Sequence, residues 1–111
     1  MITPDDVRRI AMALDGTVDG SGDDRLAFSK PGQKGYAWSF MERVHPKKPR
    51  VPRLDVLAVR CAIERKELLL EDAPEIYFDD DHYRGYPAIL VRLEAISADE
   101  LTVLLTDAWR L

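Results

Sequence analysis

A chain of 111 residues, 46% hydrophobic and 32% charged, has the size and composition of one globular domain rather than of a disordered segment. A chain this long buries about two-thirds of its unfolded surface and needs no disulfide or metal staple; its single cysteine, Cys61, excludes an intramolecular disulfide. The formal net charge of −4, from sixteen basic and twenty acidic residues, argues against a protein that binds polyanions over its whole surface.

The first element is a helix. Thr3 is its cap, Pro4 suits the first helical position, and Asp6 completes a T-x-x-D capping box. Val7, Ile10, Ala11 and Leu14 then fall at i, i+3, i+4 and i+7, a single apolar stripe, and Gly16 is expected to end the helix. Residues 15–24 (DGTVDGSGDD) read as a polar loop. Their glycines fit neither phosphate-binding spacing, and no Lys-Ser/Thr follows.

Residues 25–29 and 35–42 read as two strands of a hairpin around Pro31-Gly32-Gln33-Lys34. Strict alternation places Tyr36, Trp38 and Phe40 on one face of the second strand. Residues 54–61 (LDVLAVRC) are the third strand, and Cys61 in that apolar run reads as a small buried hydrophobe. The connection between the second and third strands carries Pro46, Pro49 and Pro52, which are expected to keep it out of the sheet.

A short helix over 63–71 turns Leu68 and Leu69 or Leu70 inward, and Pro74 marks its exit. Ile76-Tyr77-Phe78 suits a short strand, Asp79 to Gly85 a polar turn, and residues 86–93 (YPAILVRL) the strongest strand. The last helix has Ser97 as cap, Glu100 completing an S-x-x-E box, and a stripe of Leu101, Leu104, Leu105 and Ala108, with Trp109 anchoring its end. The order is α-β(3)-α-β(2)-α in one domain, 1–111. This predicts an α+β two-layer sandwich, with an antiparallel sheet, helices on one face and the other face partly open.

Four stretches carry a resemblance: TPDDVRRIAMALDG at the start, EDAPEIYF at 71–78, YPAILVRL at 86–93 and SADELTVLLTDAW at 97–109. Together they resemble the MmcQ/YjbR family over about residues 3 to 110. The resemblance implies a secretion-chaperone-like α-β(3)-α-β(2)-α sandwich. It also implies the DNA-binding label that such proteins carry because their hairpin wings look like nucleic-acid-binding wings. The family has no agreed catalytic motif to carry over, and the long MERVHPKKPRVPR stretch departs from many members.

The charge is segregated. Residues 43–53 hold Arg43, Lys47, Lys48, Arg50 and Arg53 and no acid, so the rest of the chain is strongly acidic. This loop is the best candidate for contacts to DNA phosphates; its alternative is a solvated hairpin loop. Tyr36, Trp38 and Phe40 would stack on bases if exposed beside it and would be core if buried, with Tyr36 and Trp38 the candidate ligand contacts. Asp79, Asp80, Asp81 and His82 lack the spacing of a metal loop and read as a solvated turn. Two histidines and one cysteine offer no nucleophile–base pair with motif support, so a non-enzymatic module without cofactor is expected. The alternative to DNA as partner is another protein, a small ligand or a second copy, using the open sheet face. With no signal peptide and no membrane-length apolar run, a cytoplasmic location off the membrane is expected.

Overall fold

The computed structural model describes residues 1–111 as one six-stranded antiparallel sheet with three helices. In chain order the elements are α1 (Pro4–Met12), β1 (Val18–Asp19), β2 (Ala27–Ser29), β3 (Gly35–Glu42), β4 (Val51–Arg60), α2 (Ile63–Asp72), β5 (Tyr77–Phe78), β6 (Ala88–Arg92) and α3 (Ala98–Arg110). The sheet order is β1-β2-β3-β4-β6-β5, with every pair antiparallel. The α+β sandwich expected from the sequence is therefore present, with one added edge strand. Val18 and Asp19, expected in a loop, pair with Ser29 and Phe28.

Local signals account for the helix starts. The Thr3 hydroxyl accepts from the Asp6 amide while the Asp6 carboxylate accepts from the Thr3 amide at 2.9 Å, satisfying two N-terminal donors of α1. The helix stops at Met12; Gly16 follows later, with φ 74°, in the turn towards β1. At α3 only half of the expected box forms. The Ser97 hydroxyl accepts from the Glu100 amide, but the Glu100 carboxylate reaches across the core layer and accepts from the Tyr77 hydroxyl at 2.5 Å. Burial, followed by the nearby Glu100 carboxylate, pushes the Tyr77 phenol well above its ordinary value.

One core lies between the sheet and the helices. Val7 and Ala11 of α1 and Leu101, Leu104, Leu105 and Ala108 of α3 meet Phe28, Leu57, Val59, Ile89 and Val91 of the sheet, all buried. Leu69 and Leu70 of α2 pack against this core, whereas Leu68, expected to face inward, is 58% exposed. Trp109 donates from Nε1 to the Asp15 carbonyl at 2.8 Å, tying the end of α3 to the segment after α1.

The aromatic stripe expected on β3 is broken by a bulge. Phe28 pairs with Ala37 and Ser29 with Gly35, leaving Tyr36 as an extra residue opposite β2. The bulge resets the alternation. Tyr36 turns to the helix side, 2% exposed, with its hydroxyl 2.9 Å from that of Thr17 and 3.4 Å from the Ala11 carbonyl. Trp38 and Phe40 face the other way, with Val56, Ala58 and Leu90.

That second face is less open than the sequence suggests. The Asp79–Tyr86 segment lies over it and contributes the buried Tyr83 to a cluster with Phe40, Val56, Ala58, Ala88 and Leu90. Pro52 lies within β4, paired with Met41. β4 gains its second neighbour, β6, only from Val56 onward, so at Pro52 one side of the strand is a free edge and a missing N–H is tolerated.

Candidate functional site

The β3–β4 connection is an arm that leaves the sheet at Glu42 and returns at Val51. Its charges fall into two groups. Arg53 grips the Asp55 carboxylate through two nitrogens at 2.7 and 2.6 Å and the Glu42 carboxylate at 2.5 Å. Both acids raise its pKa further above the ordinary arginine value, Asp55 first, and Arg53 in turn holds the Asp55 carboxyl below the usual carboxylate range. Its charge is matched within the fold, so Arg53 drops out of the five-residue basic set.

The other four have no carboxylate within ion-pair distance. Arg43 donates to the Pro46 carbonyl at 3.0 Å and Arg50 to the Met41 carbonyl at 3.1 Å, contacts that brace the arm and leave both guanidinium charges unneutralised. The Lys47 amide donates to Nδ1 of His45 at 3.1 Å, while the Lys47 and Lys48 side chains are exposed. The arm therefore presents Arg43, Lys47, Lys48 and Arg50 on a short proline-braced turn.

Trp38 is half-buried and separate from Tyr36. Its Nε1 donates to the Tyr83 hydroxyl at 2.9 Å, and the Arg60 guanidinium lies 5.8 Å from its ring centre. Trp38, His82, Tyr83 and Tyr86 line a cavity of about 360 Å3 on the face away from the helices. Burial raises the Tyr83 phenol above its ordinary pKa. Of the two candidate stacking residues, only Trp38 reaches a cavity on the sheet face opposite the helices; Tyr36 is core.

Lys66 on α2 builds this cavity from behind. Its side chain is buried, and Nζ donates to the Tyr83 carbonyl at 2.6 Å and the Tyr86 carbonyl at 3.0 Å and pairs with the Asp79 carboxylate at 3.1 Å. All three acceptors belong to the covering segment. The other acids of the run are also engaged: the Asp80 carboxylate accepts from the Tyr83 amide at 2.9 Å, and Asp81 pairs with Arg84 at 2.8 Å. They point to different partners and do not converge. Sequence reasoning missed Lys66, Tyr83 and Tyr86. A lysine in a charged helix carries no mark of burial, whereas Tyr83 in the expected polar turn and Tyr86 at the start of the expected 86–93 strand are a visible aromatic signal. Cys61 is buried as expected, and burial raises its thiol pKa.

No family model matches the sequence. Over 116 aligned residues the chain is 36% identical to the uncharacterized protein Rv2570 of Mycobacterium tuberculosis, and equally to Mb2600 of Mycobacterium bovis. Each alignment covers 98% of this chain and 87% of the relative. The chain belongs to the same family as these mycobacterial proteins. Its fold is similar to that of Deinococcus radiodurans protein DR2400, a DUF419 domain, with a TM-score of 0.70 over 98% of this chain and 77% of that one. At 22% identity this likeness is one of fold. No helix is long and apolar enough to cross a membrane.

Proposed function

We propose that the chain is an MmcQ/YjbR-type domain acting in the cytoplasm as a non-enzymatic binding module, and that it engages nucleic acid through the β3–β4 arm. The observation that carries this reading is the division of charge on the arm. Arg53 is matched by Asp55 and Glu42, while Arg43, Lys47, Lys48 and Arg50 have no acidic partner. Unmatched cations on a braced projection can meet phosphates without first breaking an internal ion pair. Such contacts position a nucleic acid and read no sequence.

Fluorescence anisotropy of labelled DNA tests the reading. Four phosphate contacts predict an affinity loss of at most about 150-fold between 50 and 200 mM salt. The Lys47→Glu, Lys48→Glu, Arg50→Glu variant is expected to abolish that binding, and unchanged binding removes the arm from the mechanism. A second reading, a protein-interaction or small-ligand module using the sheet face away from the helices, is favoured by the cavity around Trp38. It predicts binding that is insensitive to the arm charges.

A further inference from the structure

The cavity beside Trp38 is one part of a longer trough. A hollow of about 450 Å3 shares Trp38 and Tyr86 with it and brings in Lys34 and Arg60. On its other side a hollow of about 460 Å3 shares His82 and brings in Arg43 and Arg50 at the base of the arm. The three hollows thus run in sequence across the face away from the helices, with an aromatic middle and cations at both ends.

We propose that this trough seats single-stranded nucleic acid, with one base stacked at Trp38 and Tyr86 and its phosphate held by Arg60 and Lys34. The proposal deepens the nucleic-acid reading and rests on it. Tyr86 is 41% exposed, so one ring is free to receive a base, and its edge-on contact with Tyr83 at 6.0 Å fixes its orientation. Arg60 donates Nε to the Gly35 carbonyl at 3.0 Å, which leaves its remaining donors for a phosphate beside Trp38. Lys34 is exposed and has no ion-pair partner.

The occupant follows from chemistry. Every base has a π face, so an aromatic floor between cations takes successive nucleotides without regard to sequence. A duplex keeps those faces stacked inside and cannot offer them. A cavity of about 360 Å3 is in the small-ligand range of roughly 300–1,000 Å3 and admits one ring system rather than a base pair and its neighbours. Acids also border the trough near the arm, where Glu42, Asp80 and Asp81 line the third hollow. Glu42 is held by Arg53 and Asp81 by Arg84, while Asp80 faces the Tyr83 amide. Asp80 therefore leaves the unpaired Arg43 and Arg50 in excess at the arm end, and both ends of the trough stay cationic.

The test compares oligo(dT) of about ten nucleotides, the corresponding duplex and free thymidine monophosphate by anisotropy or competition, for wild type, Tyr86→Ala, Tyr86→Trp and Lys34→Glu. Stacking predicts that oligo(dT) binds more tightly than duplex, that Tyr86→Ala weakens it at least about fivefold, and that Tyr86→Trp retains it. Lys34→Glu is expected to weaken the single strand while leaving the circular dichroism spectrum unchanged. Thymidine monophosphate competing as well as the oligonucleotide, and losing affinity in the same variants, assigns the same seat to a free nucleotide and overturns the strand. Equal binding of duplex and single strand, lost on Lys47→Glu and Lys48→Glu but untouched by Tyr86→Ala, overturns the trough and leaves the arm standing. No binding of any probe overturns both.

Discussion

The two faces of the sheet are closed by different physics. On the helix side, the apolar stripes of α1 and α3 join one buried cluster with β3, β4 and β6, made of side chains such as Leu101, Leu104, Leu105, Leu57 and Ile89. On the other side an irregular segment is held down by a few directed bonds, from Lys66 to the Tyr83 and Tyr86 carbonyls and to Asp79, and from Trp38 to Tyr83. Apolar burial is non-directional and fills most of the helix side, where hollows of about 380 and 130 Å3 open only beside Cys61 and the end of α3. A cover anchored by one buried tyrosine and a handful of polar ties need not fit everywhere, and the hollow beside Trp38 is left at its margin. The larger apolar core and the hollow beside Trp38 thus lie on opposite faces.

The largest effect expected from breaking this division is on the helix face. Leu105 is fully buried, and Leu105→Ala should cost about 2–5 kcal/mol in chemical denaturation, for the lost transfer energy and the cavity left behind. A loss below about 1 kcal/mol would mean that the helix layer is not the main source of stability.

Removing the ammonium of Lys66 should cost less and act locally. Lys66→Met keeps much of the stem but removes the ammonium from two carbonyls and Asp79, each of which keeps one backbone amide donor, so the loss is that of the charged hydrogen bonds alone, about 1–3 kcal/mol. The more telling readout is Trp38 emission in a Trp109→Phe background, which should shift to the red as the cover loosens. An unshifted spectrum would show that Tyr83 stays in place without Lys66.

Acid should produce the smallest change and spare the apolar layer. Arg53 lowers the Asp55 carboxyl, Ser21 and then Arg8 lower Asp19, and Thr3 and then Arg9 lower Asp6. A carboxyl whose folded pKa is depressed adds stability that is whole above its unfolded value, about 4, and is lost as pH falls through the folded value. Tm should therefore hold from pH 7 to about 5 and decline below pH 4. Asp55→Asn should flatten part of that decline; a curve identical to wild type would show that the Arg53 tie contributes nothing measurable.

The extent to which each feature was legible follows from the range of the forces behind it. The caps at Thr3 and Ser97, the stripes of α1 and α3 and the apolar run of β6 depend on neighbours within a turn or a strand, and all were readable from residue spacing. Cys61 and the position of the basic arm were readable for the same reason. Tyr36 was not, because its direction depends on a bulge set by pairing with β2, and one extra residue reverses the facing of everything before it. Nor was Arg53, whose charge is matched by Glu42 across the hairpin as well as by nearby Asp55.

The sequence by itself determined the α+β class, the helix boundaries to within a few residues and the presence of one basic stretch in an acidic chain. Tertiary structure alone decided which cations remain unmatched, which aromatic residues are core, and that the Asp79–Tyr86 run is a cover and not a free turn. Local propensity and periodicity are properties of short segments. Ion pairing between Arg53 and Glu42, the burial of Lys66 and the cavity at Trp38 depend on residues that only folding brings together.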